Sequence, residues 1–297
     1  MNSINQSRQS SVTFSRIIKI SRFPFFWIWS TGFLFWGGLA ANRGFSFGEP
    51  SFILLVLWFM LPANIFLNAI NDAFDYDTDV NNLRKHGLES VAEKGEMRNM
   101  LIIAAVSLVS VFLIFPFVSG LVRSLIMIWA CIVIAYNVPP LRLKKYPVTD
   151  ILFGGVGHFV PIAIIGYVDS IGRLPGVELI ILAILYTAGW HCFGSALDVP
   201  YDISAGIKNS TARLGSERKG LLLSLLFFIA SICWAFAMGF YLAIFLIAPY
   251  PFIILINIYR GNIRKRSVEI FKELIYATYI FGFLIGIILT YIFAYEK

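Results

Sequence analysis

Charge, cysteine and histidine are all scarce in this chain. Only 14% of its 297 residues are Asp, Glu, Lys or Arg, against about 25% in soluble domains. Cys131, Cys192 and Cys233 lie inside apolar runs, without a C-x-x-C pair or a Cys/His cluster. That argues against a disulfide framework and against a zinc site. No G-x-x-x-x-G-K-[ST] pattern occurs, so Gly154, Gly155 and Gly157 are read as points of close helix approach, not a phosphate loop.

What is present is oil. Hydrophobic residues make up 58% of the chain, with 28 Phe, a composition that places it in a bilayer. At about 20 apolar residues per crossing, nine spans are expected, near 23–41, 51–71, 100–118, 121–138, 151–168, 177–197, 220–238, 240–259 and 272–294. The expected fold is therefore an all-α integral membrane bundle of nine transmembrane helices. Pro62, Pro161 and Pro249 are expected to kink spans. Twenty of the 24 Lys and Arg fall in the N-terminal segment and in the loops after spans 2, 4, 6 and 8. The positive-inside rule then predicts a cytoplasmic N-terminus and a C-terminus outside. Residues 1–22 read as a cytoplasmic tail whose first dozen residues are mobile, and 23–297 as a single domain. The net charge of +7 follows from this topology, with some attraction to anionic membrane lipids; no nucleic-acid partner is needed.

Against this background "LNAINDAFDYDTD" (67–79) puts four aspartates into eight residues. Asn64, Asn68, Asn71, Asp72, Asp75 and Asp79 recur at steps of three and four, one stripe of a helix. Each carboxylate at membrane depth costs about 2.5–3.5 kcal/mol. A stripe of oxygen donors without His or Cys suits a hard divalent cation, magnesium above all. Asp198 and Asp202, at the matching end of span 6, form a second pair at i, i+4, provided Pro200 lies at a helix start or break. Two acidic ends facing each other would hold two Mg2+ ions whose coordination is completed by diphosphate oxygens. Lys208 and Arg213 add positive charge for that anion. An apolar tunnel behind the metals fits an isoprenyl diphosphate.

The motif Asn71-Asp72-x-x-Asp75-x-x-x-Asp79, the pair Asp198-x-x-x-Asp202, "YNVPPLRLKK" (136–145) and "GIKNSTARLG" (206–215) resemble, in order, the signatures of the UbiA-type intramembrane prenyltransferase superfamily. The resemblance implies helices around a central cavity, with magnesium on Asn71, Asp72, Asp75, Asp79, Asp198 and Asp202. It further implies diphosphate on Arg84, Lys144 and Lys208, beside Arg142 of the same loop, and Tyr136 near the reacting carbons. The stretches "LPANIFLNAINDAFDYDTD" and "GWHCFGSALDVPYDISAGIKNSTARLG" are most similar to the lycopene elongase branch. That branch uses dimethylallyl diphosphate to extend lycopene in carotenoid biosynthesis.

By this reading His191, two turns deeper than Asp198, takes the final proton or positions water; the alternative is a buried residue that only hydrogen-bonds. His158 and the tryptophans at 27, 29 and 36 read as packing or lipid-contact residues. Removing Asp72 or Asp198 is expected to stop turnover without unfolding the chain. Rival readings are prenylation of an aromatic quinone precursor or a polar lipid precursor, and a cation-coupled transporter. The last predicts acids at the bilayer midplane, not at one interface.

Overall fold

The computed structural model describes residues 14–23, 25–41, 48–82, 85–86 and 95–295. Among them every regular element is helical: α1 (Phe14–Ile20), α2 (Phe25–Ala40), α3 (Pro50–Met60), α4 (Pro62–Phe74), the single turn α5 (Tyr76–Asp79), α6 (Met97–Val109), α7 (Gly120–Asn137), α8 (Gly157–Ile171), α9 (Val177–Ser204), the short α10 (Ser210–Leu214), α11 (Glu217–Ala237), α12 (Tyr241–Ile247), α13 (Pro249–Arg260) and α14 (Ser267–Tyr295). Tight turns prolong α6 to Phe117, and a π-helical turn over Ile151–Val156 leads into α8.

Local chemistry sets many of the ends. Pro50, Pro62 and Pro249 stand in the first turns of their helices, where the missing N–H costs nothing. Ser119, Asn209 and Ser216 accept a backbone N–H at the starts of α7, α10 and α11. Gly172 and Gly215 take positive φ after α8 and α10. Pro161 and Pro200 are accommodated inside α8 and α9. The expected break at Pro200 is therefore absent: α9 continues to Ser204, four residues beyond the proline.

Among the described residues seven stretches are long and apolar enough to cross a membrane: Pro50–Phe74, Met97–Phe117, Gly120–Asn137, Ile151–Ile171, Val177–Ser204, Glu217–Ala237 and Tyr241–Arg260. They coincide with the second to eighth expected spans. The first expected span is the 16-residue α2, short of a full crossing length. The ninth falls within the 29-residue α14. Outward-facing Ile102, Val106, Val109, Phe112 and Leu113 are exposed, as suits a surface meant for lipid.

Packing forms two apolar clusters. One gathers Phe59, Phe66, Trp129 and Ile162 from α3, α4, α7 and α8; the other gathers Phe193, Phe228, Tyr250 and Leu274 from α9, α11, α13 and α14. Trp29 and Tyr186 pack against both. Helices α2 and α8 cross in backbone contact, since a Cβ on Gly37 would strike the Ala163 carbonyl and one on Gly166 the Leu34 carbonyl.

The N-terminal segment departs from the expected tail. From Phe14 it is a helix, Ile20 and Ser21 are fully buried, and Arg16 pairs with Glu96 at 2.6 Å. Its apolar residues 17, 18 and 20 give a seven-residue helix something to bury. The expected mobility of the first dozen residues concerns residues outside the described set.

Candidate active site

Helix α4 is buried along most of its length, and its asparagines divide the work. Ser30 donates to Asn64 Oδ1 at 2.8 Å and Asn64 Nδ2 donates to the Phe59 carbonyl at 3.0 Å. Asn64 is thus consumed by packing. Asn68 donates to the Asn64 carbonyl at 2.8 Å, while its own Oδ1 is buried without a protein partner and the residue lines the central cavity. The expected single stripe does not stay on one helix. Asp75 leaves helical geometry (φ −112°, ψ 8°), and its carbonyl accepts the N–H groups of Thr78 and Asp79 to start α5.

Each acid of this first motif meets a cation from another segment. Arg22 reaches Asp72 at 2.9 Å, Lys144 reaches Asp75 at 2.6 Å, and Lys85 reaches Asp79 at 2.5 Å. Arg142 adds a contact to Asp75 at 3.2 Å. Burial pushes the Asp75 carboxyl upward, but Lys144, Lys85 and Arg142 outweigh it and hold it below the usual carboxylate range. For Lys144 burial dominates and draws the ammonium below an ordinary lysine, with Asp75 offsetting part of the shift. Lys144 also donates to Asn137 at 3.0 Å and approaches Asn71 at 3.4 Å.

The second motif closes on the first. Asn82, just past α5, donates to Asp198 at 2.8 Å, and Asn209 donates to Asp202 at 2.7 Å. Asp202 has no ion pair among the described residues. Gly206 turns the chain at φ 71°, so Ile207 and Asn209 face the cavity while Lys208 is exposed. Lys208 and Arg213, expected at the diphosphate, therefore lie on the surface and do not line the cavity. Arg84, expected there too, lies outside the described residues.

Between the motifs is a cavity of about 230 Å³. Asn71, Asp75, Asp79, Asp198 and Asp202 share its rim with Lys144, and Arg22 takes the place that Asp72 itself does not reach. Deeper in, the wall turns aromatic. Tyr136 meets His158 edge-on with ring centroids 4.8 Å apart and His191 at 6.4 Å. Trp29 meets Trp190 at 4.3 Å and stacks on Phe159 at 5.5 Å. Trp29 and His158 are thus cavity residues, contrary to their expected packing role. Sequence pattern could not show this, because their partners arrive from helices distant in the chain.

Room for His191 comes from the glycines. A Cβ on Gly154 would stand 2.6 Å from His191 Cε1 and 2.9 Å from Tyr136 Cε2. Gly157 likewise faces Ile132 across α7, at 2.5 Å from a notional Cβ. The expectation of close helix approach at these glycines holds.

The rim offers carboxylate and amide oxygens, the donor set of a hard cation. Among the described residues no group of three or more His, Cys, Asp or Glu closes on one point by itself. These oxygen donors fit the needs of Mg2+, which completes its shell with water and phosphate oxygens.

The chain matches the UbiA prenyltransferase family over residues 30–279. It is 29% identical to a lycopene elongase/hydratase of Haloarcula japonica, over 74% of this chain and 72% of that one. A lycopene elongase/hydratase of Halobacterium salinarum is 32% identical over 69% and 73%. A UbiA homolog from Aeropyrum pernix K1 superposes with a TM-score of 0.65 at 19% identity, covering 88% of this chain and 95% of that one. For a UbiA homolog from Archaeoglobus fulgidus bound to DMAPP and Mg2+ the TM-score is 0.61 at 16% identity, covering 91% and 98%. The chain belongs to the UbiA prenyltransferase family, among relatives of the lycopene elongase branch, and is a multi-pass integral membrane enzyme.

Proposed function

We propose that this enzyme transfers a dimethylallyl group from its diphosphate to a terminal double bond of lycopene, in a magnesium-dependent reaction at the cytoplasmic face. One observation carries the reading: the Asn82–Asp198 hydrogen bond of 2.8 Å ties the two acidic helix ends to the mouth of one cavity. Asn71, Asp72, Asp75, Asp79, Asp198 and Asp202 would hold the two Mg2+ ions. Those ions would supply charge neutralisation to the departing diphosphate. Lys144, Lys85, Arg22 and Arg142 bring further positive charge from the protein itself.

The donor's C–O bond breaks with its electron pair leaving on the diphosphate. Tyr136, Trp29, Phe159 and Trp190 present π-faces and edges to the allylic cation that remains, and their bulk restricts water. The acceptor's terminal π-pair then forms the C–C bond and leaves a tertiary cation on the acceptor. His191, on the same wall, takes the proton when that cation is discharged, with or without addition of water.

Size supports a short donor. A cavity of about 230 Å³ is smaller than the roughly 300–1,000 Å³ that encloses a drug-sized ligand. It suits a five-carbon diphosphate with only the end of a polyene beside it. The basic residues gathered at the N-terminal segment and in alternate loops support a nine-span chain with its N-terminus and active site inside and its C-terminus outside. Asp75 and Asp79 of the first motif share one cavity rim with Asp198 and Asp202 of the second, which favours catalysis over transport.

Purified protein with Mg2+, labelled dimethylallyl diphosphate and a panel of lycopene, a quinone precursor and a glycerolipid precursor tests the reading. Lycopene is expected to be prenylated and the others not. Full activity in EDTA, or labelling of the quinone or lipid precursor alone, would contradict it.

A further inference from the structure

The geometry points to Asp150 as the residue that positions His191, and to the pair as the base that discharges the product cation. This rests on the prenyl-transfer reading above. Asp150 stands at the head of the π-turn leading into α8 and is 1% exposed. Ser210 at the start of α10 donates to its two oxygens, from Oγ at 2.5 Å and from the backbone N–H at 3.1 Å. The oxygen bound to the backbone N–H also lies 3.4 Å from His191 Nε2. That is ion-pair range, though outside hydrogen-bond geometry, and Nε2 is buried with no other protein partner. Asp150 does not line the cavity, whereas His191 does.

A neutral imidazole has one N–H and one lone pair, and a carboxylate beside one nitrogen keeps the proton on that side. With its proton on Nε2, toward Asp150, the ring carries its lone pair on Nδ1. Nδ1 faces Gly154, where a Cβ would stand 2.9 Å from it. Because Gly154 is itself part of the cavity wall, the missing side chain opens a path from the lone pair to the reacting carbons.

Prenyl transfer leaves the acceptor one proton in excess of a neutral product. His191 Nδ1 accepts that proton from one of two sources. Either a C–H beside the cation breaks and its electron pair closes a C=C bond, or a water oxygen closes a C–O bond and yields its hydrogen. In both cases the imidazolium is stabilised by the Asp150 carboxylate, and its proton leaves with the released diphosphate. Orientation by a buried acid of this kind is how a carboxylate serves an imidazole base without contacting substrate.

The test uses full-length enzyme in lipid with Mg2+, labelled dimethylallyl diphosphate and lycopene in ¹⁸O-water. Two quantities are followed: diphosphate released, and prenylated product per diphosphate, separated into alkene and alcohol. Asp150→Asn and His191→Gln are each expected to lower product per diphosphate about tenfold or more. The double variant should fall no further than His191→Gln, and Asp150→Glu should recover part of the ratio. Ser210→Ala removes one anchor of Asp150 but leaves the carboxylate beside His191, and should keep the ratio of the unaltered enzyme. Label in the product identifies water as the proton source, and its absence identifies the C–H; either result accords with the base. An unchanged ratio in both single variants, additive losses in the double variant, or Ser210→Ala matching Asp150→Asn would overturn it. If the unaltered enzyme releases no diphosphate, prenyl transfer itself fails, and the base with it.

Discussion

Asp198→Ala will lower turnover by about a hundred- to a thousandfold, the scale of removing one charged group from a site built to stabilise a leaving anion. It will leave the thermal unfolding midpoint close to that of the unaltered chain. Asp198 sits half-buried at the cavity rim and accepts a hydrogen from the neutral Asn82 amide, a contact whose loss leaves an amide and not a charge behind. Asp72→Ala will lose activity to a similar degree but will also destabilise the protein. Arg22, whose side chain is 8% exposed, pairs with Asp72 at 2.9 Å. Removing one member of such a buried pair costs about 3–5 kcal/mol. The expectation that either aspartate can be removed without harm to the fold is thus predicted to fail for Asp72, through the loss of its pair with Arg22. Product formation and thermal unfolding in the same detergent separate the two effects. Equal stability of the two variants would show that the Arg22–Asp72 pair does not anchor the N-terminal helix.

The second large effect distinguishes among the cations. Lys144→Met will reduce kcat/KM for the prenyl diphosphate by about a hundred- to a thousandfold. Lys144 is buried at the rim, 2.6 Å from Asp75, and its ammonium lies 6.0 Å from the centre of the Tyr136 ring. It thus stands between Asp75 of the acid motif and Tyr136 of the aromatic wall, where the proposed reaction would put the leaving oxygen. Lys208→Met and Arg213→Met will change the same quantity by no more than about fivefold, because exposed charges act through screened solvent. Steady-state kinetics against donor concentration checks both statements. A loss at Lys208 as large as that at Lys144 would mean that the loop after α9 folds onto the diphosphate.

Part of this site was legible in the sequence, for a physical reason. Acids in a membrane chain are costly, so those retained at helical spacing announce a shared partner, and five of the six proposed metal-holding residues do line one cavity. Nine apolar stretches could be read because a bilayer demands length, and among the described residues seven of them are helices of crossing length. The partners of those acids were not legible. Arg22 read as one of four topology charges in a tail, although it completes the rim from α1's end. Asn82 and Asn209 carry no periodic signal, because each follows a break in helix, yet Asn82 ties the end of the first motif to Asp198 and Asn209 holds Asp202. Asp150 stands one residue before an expected span and gave no signal; only the folded chain brings it within reach of His191, 41 positions on. Lys208 and Arg213 are the opposite case. Proximity in sequence to Asp202 suggested proximity in space, and the turn at Gly206 points them outward.

Anomalous diffraction from crystals grown with Mn2+ and a non-cleavable thio-analogue of dimethylallyl diphosphate is the most direct measurement. Two metal peaks are predicted between the carboxylates of Asp75 and Asp79 on one side and Asp198 and Asp202 on the other, with the diphosphate bridging them and the five-carbon tail against Tyr136. Metal on one motif alone, or an analogue bound away from that cavity, would contradict it.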